Sequence, residues 1–355
     1  MNSGTSLTTS SAVNVVLAGG MDFGSSLTTI NGTLQINSGG FVTGNAPTYG
    51  TGSTLKYNSG TNPYVRGIEW GSASGPAYPY HVQISNNTTV DPGGTSRTGV
   101  TLNTAGDFTV DAGSAMYMDY SSHNMTVPLI VNGNLVLNGS LSASGTSGGD
   151  IKVRGNWTST GSFFPNLRGV FFDGASGTQT ITKSGGQTFD YLLVDKASGN
   201  VSLANDISVN QTLTLANGLI STGSNKVIIS AFGLVSRTNG WVAGFLQKGV
   251  ITGSPTLSYE IGDGSNYRPV SVAFNSVSSG GNLTASVSQS AGAHPNLATS
   301  AINNTLRLDR YYTLTNSGTA FTSYDATFNF IAADVINGAD PNNFIAAKWD
   351  GAVWT

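Results

Sequence analysis

Two apolar residues separated by one position, then a turn carrying Asn and Gly, recur along the first two thirds of this chain. The unit reads Asn31-Gly-Thr-Leu-Gln-Ile-Asn-Ser-Gly39, Gly106-Asp-Phe-Thr-Val-Asp-Ala-Gly113, Asn132-Gly-Asn-Leu-Val-Leu-Asn-Gly139 and Asn210-Gln-Thr-Leu-Thr-Leu-Ala-Asn-Gly218. Alternation at period two is the strand signal, and Asn and Gly adopt the positive φ angles of tight turns. Strands this short, with a corner every few residues, make poor long hairpins. They wind readily as coils of a β-solenoid, where inward residues of one coil meet those of the next. Residues 4–20 and 24–40 are identical at seven of 17 positions, among them Leu7/Leu27 and Gly19-Gly20/Gly39-Gly40. That spacing predicts a period of about twenty residues and about ten coils.

Composition agrees with stacking. Gly, Ser, Thr and Asn make up 165 of 355 residues, charged residues only 9 %, and Glu occurs twice, at Glu69 and Glu260. Coiled coils, helical bundles and most cytosolic enzymes need more helix-favouring Glu, Lys, Ala and Leu, so these are excluded. A hydrophobic fraction of 38 % is enough to bury a core, which argues against disorder. In-register coils place like over like, which favours neutral outward residues and penalises stacked equal charges. A net charge of −3 without a run of Lys or Arg argues against nucleic-acid binding, and no apolar run is long enough for a helical membrane span. With no cysteine there is no disulfide framework and no thiolate metal site. Such a composition suits an exported bacterial surface protein. Met1-Asn2-Ser3-Gly4 does not read as a signal peptide, so the expectation is a fragment of a larger chain that continues into further domains.

From Trp241 onward the short unit disappears, and longer, more aromatic alternating segments take over: 256–261, 267–274, 283–287, 306–314 and 326–331. The expected architecture is therefore all-β. It has a right-handed parallel β-helix over 1–250, with a loop inserted near 61–80, and an Ig-like β-sandwich over 251–355 that is incomplete at its C-terminus. The final segment, 347–355, reads as a strand–turn–strand unit broken off by the chain end.

Several stretches resemble large repetitive surface proteins of Bacteroidetes: Gly155-Asn156-Trp157-Thr158, Val170-Phe171-Phe172-Asp173-Gly174, Phe189-Asp190-Tyr191-Leu192-Leu193-Val194, Ile261-Gly262-Asp263-Gly264 and Tyr267-Arg268-Pro269-Val270. Arg310-Tyr311-Tyr312 and Trp349-Asp350-Gly351 are similar as well. The resemblance covers mainly residues 150–355. It implies a β-helical stalk with sandwich modules, type IX secretion, display at the cell surface and adhesion, with no catalytic site.

The candidate chemistry is sparse. Tyr64, Trp70, Tyr78 and Tyr80 crowd the inserted loop; as exposed aromatics they would stack on surface glycans or anchor other surface proteins, and otherwise they cover the solenoid's flank. A polysaccharide-active enzyme is the alternative: Asp173, Asp190 and Asp195 are spaced so that two carboxylates stack on successive coils, with Lys152 and Arg154 one coil earlier. Those aspartates also read as turn residues. Thr178, Thr180, Thr182, Thr212 and Thr214 alternate as a flat ice-binding or crystal-binding face would require. Asp334-Val-Ile-Asn337-Gly338-Ala-Asp340 offers oxygen ligands for calcium, or an Asx turn, without the spacing of an EF-hand loop. His81, His123 and His294 share no metal-binding spacing, and no cofactor is expected. Trp241, Trp349 and Trp354 read as core or cap, and Arg268 with Glu260 as a cross-strand ion pair.

Overall fold

The structure is a computed structural model that describes residues 7–25, 28–60, 63–93 and 102–355. Residues 1–6, 26–27, 61–62 and 94–101 lie outside the described set, and with them the N-terminal methionine, Leu27 of the repeat and the first part of the 61–80 loop.

The chain is all-β and forms a parallel β-solenoid of about 11 turns. One column of strands runs Asn14–Leu17, Thr33–Asn37, Thr54–Asn58, His81–Ile84, Phe108–Val110, Leu135–Leu137 and Trp157–Ser159, each parallel to the next. It continues through residues 179–182, 201–203, 219–221 and 241–243 to Ile261–Gly262. A second column links Leu102–Thr104, Leu129–Val131, Ile151–Val153 and Gly169–Phe172, then 191–194, 212–215 and Leu234–Arg237. A third includes Tyr64–Val65, Thr89–Asp91, Ala115–Tyr117, Ser140–Ser142 and Ser162–Phe164. Three strands per turn with a rise of about 4.8 Å make a rod on the order of 50 Å long.

Burial dictates the register. Leu34, Leu55, Val82, Phe108, Leu135 and Trp157 stack inward, all 0–1 % exposed, while Gln35, Lys56, Gln83 and Thr109 stack outward beside them. The predicted offset of twenty is not the register: Thr8 pairs with Thr29, Asn14 with Thr33 and Gly20 with Phe41. An offset of twenty would set buried Leu17 against Asn37, whereas the observed pairing sets it against Ile36. A one-residue slip exchanges inside for outside, so the core overrides the sequence identity.

Corners explain the glycine content. A Cβ built on Gly161 would lie 1.9 Å from the Gly139 carbonyl oxygen, one on Gly155 2.4 Å from that of Gly133, and one on Gly240 2.5 Å from that of Gly218. These glycines stack turn upon turn because successive backbones meet too closely for any side chain. Aspartate and asparagine supply the corner hydrogen bonds: Asp107 Oδ1 accepts from the Asn134 N–H at 2.6 Å, Asn134 Oδ1 from the Asn156 N–H at 2.9 Å, and Asn156 Oδ1 from the Thr180 N–H at 2.7 Å. Each corner side chain thus satisfies the backbone of the next turn.

The parallel ladder changes direction on one strand, Trp241–Val250. Its residues 241–248 pair parallel with 219–229, and its residues 246–250 pair antiparallel with 281–285. Gly281–Val287 then pairs with Tyr312–Ser317, and a separate antiparallel sheet joins Thr256–Tyr259, Val270–Phe274 and Tyr324–Phe328. Tyr259, fully buried, donates its hydroxyl across to the Leu283 carbonyl at 3.0 Å. One continuous apolar core extends from Leu17 to Ala285, so the solenoid and the antiparallel sheets share their packing. At the chain end, Lys348 and Thr355 exchange backbone hydrogen bonds of 2.7 and 2.9 Å in a small hairpin around Asp350.

Candidate functional site

Trp70 is not an exposed aromatic. It is 0 % exposed, its ring lies 5.8 Å from Phe108, and its indole N–H donates to the Asn103 carbonyl at 2.8 Å. Tyr64 is half-buried, with its ring 5.3 Å from that of Tyr57. The segment therefore folds inward, because an indole and a phenol bury more apolar area in the solenoid's flank than in water. Tyr78 and Tyr80 stay half-exposed: the Tyr78 hydroxyl accepts from Asn132 Nδ2 at 3.1 Å, and Tyr80 packs edge-on against His81 at 4.7 Å. The four do not form one platform.

Beneath this segment lies a group that the sequence reading passed over. Glu69 is 0 % exposed; its Oε1 accepts from the Tyr57 hydroxyl at 3.0 Å and the Gly67 N–H at 2.9 Å, and its Oε2 has no partner. Its backbone carbonyl accepts from the Tyr49 hydroxyl at 3.0 Å. Burial pushes its carboxyl above the usual carboxylate range, against the opposing pull of those hydrogen bonds and of Arg66.

The carboxylates of the enzyme alternative are held in separate roles. Asp190 accepts from the Leu167 N–H at 2.8 Å and from Asn210 Nδ2 at 3.0 Å, so it braces a corner. Asp195 is exposed and accepts from Asn217 Nδ2 at 2.7 Å. Asp173 lies 3.5 Å from Arg154 Nε, while the Lys152 ammonium sits over the Phe171 ring at 5.4 Å. Close to Asp173 sits Lys196, 2 % exposed, which donates to the Gly174 carbonyl and to Gln179 Oε1, both at 2.9 Å. Burial lowers its pKa, opposed by the Asp173 charge. A Lys196→Met variant is expected to lose about 1.5–3 kcal/mol in urea unfolding, since two hydrogen bonds from a charged donor disappear. An unchanged midpoint would show that these bonds do not support the corner.

On the second column, outward residues form a mostly apolar strip. Lys152 pairs with Phe171 and Phe171 with Leu193, while Gly169 pairs with Tyr191, Tyr191 with Thr212 and Thr212 with Leu234. Tyr191 is 40 % exposed and Leu234 66 %. Thr212 thus lies between Tyr191 and Leu234, and Thr180 beside Ser202, so the threonines do not stack into a uniform face.

In the antiparallel part, the expected Arg268–Glu260 pair is replaced by two others. Glu260 accepts from Lys248 Nζ at 2.8 Å. Arg268, 1 % exposed, reaches Asp263 at 2.7 Å and forks onto both oxygens of Asp334 at 2.7 Å each. Arg310 adds contacts of 2.9 Å to Asp263 and 3.2 Å to Asp334. The planar guanidinium matches a carboxylate with two parallel N–H bonds, which chain order could not reveal across 66 residues. Burial alone would raise the Asp334 pKa, but the hydrogen bonds from Arg268, the Ile331 N–H and Arg310 hold it below the usual range. Asp334 is therefore committed to arginines rather than to calcium. Asp340 makes the Asx-type cap, accepting from the Asn342 N–H at 3.0 Å.

The remaining candidates lie apart. His81 Nδ1 accepts from the Asp107 N–H at 2.9 Å, His123 sits on an exposed turn, and His294 packs against Tyr311 and Trp354 at 5.1 and 5.0 Å. Trp349 joins that half-buried cluster, whereas the Trp241 indole N–H donates to the Asp263 carbonyl at 2.7 Å. Among the described residues no group of three or more His, Cys, Asp or Glu converges as a metal site. In comparisons with known proteins, no family model, no curated protein and no solved structure matches this chain.

Proposed function

We propose that this chain is a non-enzymatic stalk of an extracellular, adhesive surface protein of the Bacteroidetes type. In this reading it is a right-handed β-helix that ends in a β-sandwich and displays a glycan-binding or protein-binding surface. The observation that carries the reading is the solenoid ladder, filled with side chains along its length and continuous with the antiparallel sheets. Such a ladder resists bending, because the strands of each inner turn are hydrogen-bonded to those of the turns above and below. The chemistry-bearing aspartates serve corners or ion pairs, which favours the stalk over the polysaccharide-active enzyme.

The outward strip of Phe171, Tyr191 and Leu193, with Lys152 beside it, is the surface assigned to binding. Two aromatic rings on adjacent turns of a flat sheet offer stacking area for the apolar faces of sugar rings. A glycan array probed with the wild type and with Phe171→Ala/Tyr191→Ala is the test, run beside an assay for released reducing ends. Binding that falls about tenfold or more in the double variant, with no reducing ends released, is the expected result. Release of reducing ends by the wild type would overturn the non-enzymatic reading. Equal binding by both proteins would remove the strip from it.

A further inference from the structure

We propose that Glu69 is a protonation-gated latch: as a neutral acid it holds the segment 66–80 against the flank of the solenoid, and its ionisation loosens that segment. This goes beyond the stalk reading and does not depend on it.

The geometry asks for a neutral acid. Oε1 is already an acceptor for two donors, the Tyr57 hydroxyl and the Gly67 N–H, whereas Oε2 is buried and meets no donor. An ionised carboxylate would leave half of its charge on a buried oxygen that no protein group hydrogen-bonds, a costly arrangement in an aromatic surround. A proton on Oε2 turns that orphaned acceptor into a donor. Tyr64, whose buried hydroxyl is also without a partner and which interacts electrostatically with Glu69, provides an acceptor of the right kind.

Space is tight as well: a Cβ on Gly67 would come within 2.6 Å of Oε2, so the chain wraps directly over the carboxyl. The titratable groups facing Glu69 are Tyr49, Tyr57 and Tyr64 from the solenoid strands, and Arg66 from its own segment. Burial keeps the three tyrosines un-ionised through the neutral range. Arg66 is the one cation among them, and its hydrogen-bonded donors are spent on backbone carbonyls: Nη1 on Gly67 and Trp70 and Nε on Pro92. Asp91, on the strand beside Tyr64, turns its Oδ1 to the Gly93 N–H. Among the described residues, no cation forms an ion pair with Glu69.

The segment also has something to latch. Glu69 precedes Trp70, whose indole fills the flank, and the Ala77 N–H bonds to the Pro47 carbonyl at 3.0 Å. The sign follows from burial raising the carboxyl's pKa. Below the usual carboxyl range both the latched and the released segment are protonated, and the latch is at full strength. As pH rises past that range the released form ionises first, so latching weakens until the pH passes the raised value.

Hydrogen exchange of the 64–82 amides, measured against the 129–159 core of the same molecule, tests this in the wild type and in Glu69→Gln. The glutamine keeps Oε1 for Tyr57 and Gly67, and it cannot ionise. Wild-type protection should fall with rising pH, beyond the intrinsic rate, by a factor that approaches but does not exceed about tenfold per unit for one proton. Glu69→Gln should show no such fall. Equal pH dependence in the two proteins would overturn the proposal. A second measurement guards against a misfolded variant. The chain has only two glutamates, so carboxyl-labelled glutamate gives two NMR signals, and Glu260→Gln assigns them. A wild-type Glu69 signal that titrates in the usual carboxyl range would also overturn the latch.

Discussion

Arg268→Ala is expected to cost about 3–5 kcal/mol in urea unfolding, one of the two largest losses available from a single substitution here. The guanidinium is buried between the 263–266 turn just before it in the chain and the turn at 334, 66 residues on. Without it, Asp263 and Asp334 face each other with only Arg310 between them, at 2.9 and 3.2 Å. Two buried carboxylates sharing one cation must take up a proton or draw in water, and either response weakens the packing around Tyr259 and Val270. Arg268→Lys should recover little of the loss, because an ammonium cannot fork onto both oxygens of Asp334. Arg307→Ala is the control. Its 2.8 Å pair with Asp309 is partly solvated, and its removal should cost less than about 1 kcal/mol. Equal midpoints for the two alanine variants would show that the buried network does not hold the antiparallel sheets together. The pH sign here is opposite to that of Glu69. Asp334 is held below the usual carboxyl range, so its stabilisation is complete above that range and disappears as pH falls through its lowered value. Acid should therefore loosen the antiparallel part while it tightens the 66–80 segment.

Gly161→Ala should destabilise the solenoid by about 3 kcal/mol or more. The new methyl would sit 1.9 Å from the Gly139 carbonyl oxygen and 2.7 Å from the Asn138 carbonyl carbon, both backbone atoms with no rotamer to change. Relief requires two turns to separate, but the N–H groups of Thr160 and Gly161 both bond to the Leu137 carbonyl at 2.9 Å and resist that movement. Gly19→Ala is the matched control: nothing lies within 4 Å of its Cβ position, and its φ is not in the left-handed region. That substitution should be neutral or stabilising by up to about 1 kcal/mol, through the lower entropy of the unfolded chain. Thermal melts of the two variants decide the matter, and similar losses would mean that close approach at the corners is not what demands glycine.

Three of the four short repeat units, at Leu34/Ile36, Phe108/Val110 and Leu135/Leu137, stack in one column of the solenoid, while Leu213/Leu215 belongs to the second. Period-two alternation carried that much, because burial of every second residue is a local property of a strand. Register was not local. Residue identity suggested an offset of twenty, and stacking Leu17 on Ile36 required nineteen. The aromatic cluster divided between flank and surface for a related reason. Tyr64 and Trp70 have the composition of a loop platform, but the neighbouring turns leave a flank that only large rings fill.

Glu69, Lys196 and the Arg268–Asp334 fork show the same division. One signal was present in the sequence: a glutamate beside a tryptophan, in a chain with only two glutamates. Nothing adjacent disclosed that Tyr57, twelve residues earlier, would meet it, or that Arg268 would choose Asp334 over Glu260. By itself the sequence determined a stacked, glycine-cornered, weakly charged β-architecture, since strand period, turn chemistry and the penalty on stacked charge act between near neighbours. Tertiary structure alone decided the register, the inward turn of the 66–80 segment and the partners of each buried charge. Those depend on which surfaces meet across a turn or more of the coil, and desolvation there outweighs any local preference.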